Sequence, residues 1–179
     1  MPELDDRGLF EKLVLDGFQA GLSWITILKK RDTFRKAFHN FDPNRIAKFN
    51  ARDVKRLLGN AEIIRSKSKI QSSIGNAKAW LKIMEGGKGS FRDFLWQHTN
   101  HRTQQNRFKQ KQDVPTETEE SRAMAKALKK AGFKFCGPTI CYAFMQAVGM
   151  TNDHLVSCPR HAAARKLGVQ FTSRAAQTQ

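Results

Sequence analysis

The chain has 179 residues, 40% of them hydrophobic and 27% charged, which suits one domain with a real core and excludes a wholly disordered chain. Lysine and arginine outnumber aspartate and glutamate by 32 to 16, a net charge of +16. Like charges repel in the compact state, so the imbalance points to a polyanionic partner, nucleic acid first, over a merely basic surface.

The periodicity is helical nearly throughout. Leu9, Phe10, Leu13 and Val14 form one stripe. Trp24, Ile25, Ile27, Leu28, Phe34 and Phe38 predict a second long helix, mostly buried. Asp42-Pro43 is a helix start, a capping carboxylate before a proline at the first helical position. Asp53 to Leu58 is a short helix stopped by Gly59. Lys69 to Met84 is another, and Phe91 to Trp96 one more short apolar turn or helix. Residues 97–120 are polar and form the best loop candidate, mobile in part. Ser121 to Lys130 and Thr139 to Val148 resume the helical pattern, and residues 159–179 read as a basic, poorly ordered tail. The expected architecture is all-α, one domain, with room for two helical lobes. No run of about 18 apolar residues could span a membrane. The start MPELDDRGLF has no signal-peptide core, and three cysteines argue against a disulfide framework. A cytoplasmic monomer is expected.

Three groups of residues carry chemistry. In Val54–Ala77 a short helix ends near Gly59, a tight connection follows, and a second helix starts near Ser66 or Ser68 among Arg65, Lys67 and Lys69. A helix N-terminus offers free N–H groups to an anion, so this is a phosphate clamp or an ordinary corner with solvated lysines. Around QAGLSW, Asp16, Gln19, Ser23 and Trp24 offer a carboxylate, polar groups and an aromatic face, with Gly17 and Gly21 allowing close approach. They make a pocket or, on the plainer view, a core tryptophan and a helix-end aspartate. His154 and Cys158 have a two-ligand zinc spacing, with His161 a candidate third. His39, His98 and His101 read as surface residues, and Cys136 and Cys141 as small hydrophobes.

The segments AGLSWITILKKR, IGNAKAW, ALKKAGFKF and TICYAFMQAVG resemble the signature segments of the DNA-3-methyladenine glycosylase I family over residues 1–158. The resemblance implies a helix-hairpin-helix DNA glycosylase fold, with the tail outside it. The implied activity is hydrolysis of the N-glycosidic bond of 3-methyladenine in alkylated double-stranded DNA. Asp16 stands where the family has a glutamate that contacts the base, and Trp24 matches the family tryptophan packed against it; Gln19 and Ser23, offered by the same segment, are further candidates for holding the base. Alkylation makes the purine cationic, so a carboxylate and π-faces select it. Arg65, Ser66, Lys67, Ser68 and Lys69 would hold the DNA backbone, although Glu62 replaces a glycine frequent in the family hairpin. His154 and Cys158 match half of a structural Zn2+ site. The other half and the pocket's aromatic residues fall before Met1 in the family pattern, so a truncated relative that binds DNA without turnover is the alternative. A basic RNA-binding protein is a third reading, disfavoured by a single tyrosine. With no lysine placed as an obvious Schiff-base nucleophile, monofunctional chemistry is expected.

Overall fold

In the computed structural model, residues 2–176 other than residue 88 are described, the last six by backbone alone. The chain opens with α1 (Asp6–Gln19), N-capped by Asp5, whose carboxylate accepts from the Gly8 N–H at 2.7 Å. Nine of its residues are buried, among them Leu9, Phe10, Leu13, Val14 and Phe18. Such coverage exceeds a single stripe because α1 is packed on several sides, against α2 (Trp24–Lys29), α6 (Lys67–Glu85), α7 (Phe91–Trp96) and α9 (Pro138–Ala147). Phe18 packs on Phe34 at 4.7 Å between ring centroids and on Phe38 at 5.7 Å, and Phe10 meets Trp80 at 6.3 Å. One helix thus joins two aromatic groups, and the buried side chains form one contiguous core.

The expected long helix over Trp24–Phe38 is broken. Lys30, at φ −102° and ψ 2°, separates α2 from α3 (Arg31–Ala37). Ile27, Phe34 and Phe38 on its two sides are all fully buried, so the apolar period runs through the break and hides it. The expectation of burial fails for the outer face: Trp24, Ile25 and Leu28 are 36%, 56% and 44% exposed.

Elsewhere local capping decides the starts, each cap contributing about 1 kcal/mol. Asp42 caps α4 (Pro43–Ile46), and Asn50 with Asp53 forms a reciprocal box on α5 (Ala51–Gly59). Ser90 with Asp93 does the same for α7, and Thr118 with Ser121 for α8 (Glu119–Lys130).

The polar loop 97–120 is pinned by tertiary bonds. Within it β1 (Gln104–Gln105) pairs in parallel with β2 (Thr151–Asn152), Gln104 opposite Thr151. The segment expected to be a poorly ordered tail forms α10 (Pro159–Ala176). Its weak apolar pattern concealed it, but Ala162, Ala163 and Ala164 favour helix intrinsically. It lies close enough to the loop that a Cβ on Gly168 would meet Thr103 Cβ at 2.8 Å. Among the described residues no helix is long and apolar enough to cross a membrane.

Candidate active site

The turn between α1 and α2 is shaped by two glycines. Gly21 has φ +79°, a conformation that side-chain-bearing residues resist. Gly17 lets α1 approach the loop before α9, since a Cβ there would meet Phe135 Cβ at 3.2 Å. Gln19 closes the turn by donating from Nε2 to the Leu22 carbonyl at 2.7 Å. Ser23 starts α2 and shares a 2.7 Å hydrogen bond between its hydroxyl and that of Thr26. Both predicted pocket residues therefore shape the turn through their own local bonds. Leu22, at the turn, is 38% exposed.

Asp16 and Trp24 are brought together through Lys12. Asp16 is only 4% exposed. Its Oδ1 is ion-paired with the Lys12 ammonium, and its buried Oδ2 has no hydrogen-bond partner. Burial pushes the Asp16 carboxyl up to about 6, against the opposing pull of Lys12. Burial likewise lowers Lys12, partly offset by Asp16. The same ammonium lies 4.3 Å from the centroid of the Trp24 ring. Lys12 and Trp24 line a cleft of about 260 Å³ with Leu15, Leu28, Ala147 and Val148. Arg31 and Arg35 stand on its wall and are already engaged, their Nε atoms donating to Glu11 at 2.7 and 2.9 Å. Sequence reasoning missed Lys12; its i, i+4 spacing to Asp16 was the available signal.

The hairpin forms as expected between α5 and α6. Ile63 and Ile70 anchor it in the core, at 3% and 0% exposure. Lys30 donates to the carbonyls of Ala61 and Glu62 at 3.3 and 3.0 Å, and Thr33 to Glu62 at 3.0 Å. The break between α2 and α3 therefore fixes the hairpin backbone. Ser66 is the N-cap of α6, yet its side chain makes no capping bond, which leaves that helix start suited to an anion. Arg65, Lys67 and Ser68 are exposed and Ser66 is half-buried. Lys69 is partly buried and engaged within the protein. Its ammonium donates to the carbonyls of Phe18 and Ala20 at 2.9 and 2.6 Å, tying the hairpin helix to the C-terminal end of α1.

His154 Nδ1 and Cys158 Sγ lie 3.9 Å apart, close to the separation of two ligands sharing a tetrahedral zinc. No group of three or more metal-ligating side chains occurs among the described residues. His161, the candidate third ligand, has Nε2 3.0 Å from the Asn106 carbonyl instead. The preceding Asp153 is held by Tyr142 at 2.6 Å, Gln146 at 2.7 Å and Asn106 at 2.6 Å, so the start of this segment is firmly placed. Two donors fit a zinc and a closed four-ligand site is not formed by the described residues. Cys136 and Cys141 are buried, and burial pushes the Cys136 thiol up to about 11; both pack as apolar groups.

A sequence profile of the methyladenine glycosylase family matches residues 1–161. The DNA-3-methyladenine glycosylase 1 of Escherichia coli is 51% identical over 158 residues, covering 88% of this chain and 84% of that one. The DNA-3-methyladenine glycosylase of Haemophilus influenzae is 50% identical over 158 residues, 88% of this chain and 85% of that protein. A crystal structure of a 3-methyladenine DNA glycosylase I superposes with a TM-score of 0.86 at 53% identity, covering 89% of this chain and 87% of that one. The Staphylococcus aureus enzyme, studied for its recognition of 3-methyladenine, superposes with a TM-score of 0.85 at 35% identity, over 89% and 84%. The chain belongs to the methyladenine glycosylase family, a family of N-glycosyl hydrolases.

Proposed function

We propose that this protein removes 3-methyladenine from alkylated double-stranded DNA by hydrolysing its N-glycosidic bond, as a monofunctional, monomeric and cytoplasmic repair enzyme. The observation that carries the proposal is that one ammonium, that of Lys12, bridges a buried carboxylate, Asp16, and the exposed indole of Trp24 at the cleft. A base processed within duplex DNA must be extruded and held by stacking and edge contacts. The N3-alkylated purine is cationic, so a carboxylate in a poorly hydrated site and a π-face favour it over ordinary adenine. The same charge already weakens the bond to C1′, and strong acid catalysis is not required. Asp16 stabilises the cationic base, and its Oδ2, buried without a hydrogen-bond partner, is the acceptor that a base N–H would satisfy. Leu22, exposed at the neighbouring turn, is an apolar side chain suited to the gap that extrusion leaves in the base stack. Arg65, Lys67, Ser66 and Ser68 at the start of α6 hold the backbone phosphate, with the hairpin kept in shape by Lys30 and Lys69.

Zinc enters the proposal as a structural ion only. His154 and Cys158 would supply two ligands, and zinc would tie down the segment between β2 and α10 without taking part in bond cleavage. Equilibrium dialysis should find one zinc per chain, lost on His154→Ala with base release retained.

The direct test is release of free 3-methyladenine from methylated duplex DNA. The expected result is release of the base with no strand break until alkali is added. DNA binding without release would favour a binding protein, and strand cleavage without alkali would overturn the monofunctional assignment.

A further inference from the structure

The Lys12 ammonium occupies a place of a specific chemical kind. It pairs with Asp16 on one side and faces the Trp24 ring at 4.3 Å on another. Its side chain is only 18% exposed. A lysine gives up hydration and most of its rotamer freedom to be held there, and the Asp16 carboxylate and the Trp24 face offset part of that cost. The other cations on the cleft wall, Arg31 and Arg35, are paired with Glu11. Asp16 has no such second cation, since its Oδ2 has no hydrogen-bond partner.

We propose that Lys12 is a built-in competitor for the base site: it fills the space between Asp16 and Trp24 when the site is empty, yields it to a cationic purine, and reclaims it once the base is neutral. This deepens the proposed function and rests on the assignment of Asp16 and Trp24 as the base site. The charge balance gives the device its direction. In the alkylated nucleotide the purine carries one positive charge. The C1′–N9 bond breaks with both electrons left on the base, which departs neutral, while water adds to C1′ and releases a proton to solvent. Before cleavage two cations compete for one carboxylate; afterwards Lys12 is the cation that remains. Undamaged adenine, neutral from the start, cannot offer Asp16 a replacement charge. Lys12 therefore sets specificity against normal bases and promotes release of the product.

The test compares the wild-type protein with Lys12→Met, which keeps length and apolar bulk but removes the charge. Binding of free 3-methyladenine at mildly alkaline pH, where the base is neutral, is measured by calorimetry, with multiple-turnover base release alongside. Lys12→Met should bind the neutral base about tenfold more tightly and show stronger product inhibition in multiple turnover. Unchanged or weaker binding of the base by a cooperatively melting Lys12→Met would overturn the proposal. Lys12→Gln, with the same expectation, replaces it if the methionine variant does not fold. Trp24→Ala separates the two levels of inference. Loss of base binding in Trp24→Ala with no gain in Lys12→Met sinks the Lys12 role alone. Equal binding by wild type and Trp24→Ala sinks the site assignment and the Lys12 role with it.

Discussion

On α1 a lysine and an aspartate are paired in a largely buried place beside a cleft, whereas at the start of α6 Arg65 and Lys67 stand in solvent beside an uncapped helix N-terminus. Both are basic features of one chain, and they do different work because of their surroundings. Two unit charges 4 Å apart interact by about 1 kcal/mol in bulk water and by about 4 kcal/mol at the effective dielectric of a partly buried site. In the proposed function the cleft would therefore distinguish a cationic base from a neutral one. The hairpin would meet phosphates through water and salt, supplying affinity that falls with ionic strength and carries no base information. The +16 net charge suits the second kind of interaction.

Asp16→Asn is the sharpest way to break this comparison. It removes the buried negative charge and leaves the hairpin untouched, so base release should fall by at least about a hundredfold while DNA affinity in a filter-binding titration hardly changes. A parallel loss of both would show that the cleft and the hairpin are not separable. Trp24→Ala comes next. Stacking on an aromatic contributes about 1–3 kcal/mol, so a loss of roughly ten- to a hundredfold in kcat/KM is expected, with melting temperature little affected because Trp24 is 36% exposed.

The pH profile tests the burial of Asp16. If base release uses the Asp16 carboxylate as proposed, kcat/KM should rise with pH through about 6. Stability runs the other way. The folded-state value is raised above the unfolded value of about 3.9, so this group's contribution to folding is fully present below the unfolded value and is lost as pH rises through about 6. Asp16→Asn should flatten both dependences; a profile of release unchanged by that substitution would remove Asp16 from the chemistry. The smallest effect belongs to the solvated side. Arg65→Ala with Lys67→Ala should lower the slope of log affinity against log salt by about 2, at about 0.9 per phosphate contact, and weaken binding to methylated and unmethylated duplex alike. A change in base preference would mean that these residues read more than the backbone.

Much of the helical layout was legible because it rests on local causes. Asp42 before Pro43 marks a helix start wherever the chain goes, and the structure places α4 there with the Asn44 N–H on the Asp42 carboxylate at 2.9 Å. The same holds for Phe91–Trp96, whose Ser90–Asp93 box is built within four residues. The break at Lys30 was not legible. The apolar period continues across it, and the ammonium's partners, the carbonyls of Ala61 and Glu62, lie more than thirty residues away. The helix after Pro159 was hidden for the opposite reason: it lacks a strong apolar stripe and packs through a glycine on Thr103. Gln19 and Ser23 lie at the turn between α1 and α2, where their hydrogen bonds close on Leu22 and Thr26.

By itself the sequence determined the all-α class, the family segments, the basic character and the presence of Asp16 and Trp24 in one short stretch, since these depend on composition, on the 3.6-residue period and on neighbours a few positions apart. Only the tertiary structure decided which charges meet. It buried Asp16 against Lys12, set the same ammonium over the Trp24 ring, engaged Lys69 with the carbonyls of Phe18 and Ala20, and brought His154 to Cys158 with no third ligand among the described residues. Burial sets the strength of each of these charges, and burial is a property of the whole packed chain that no local pattern encodes.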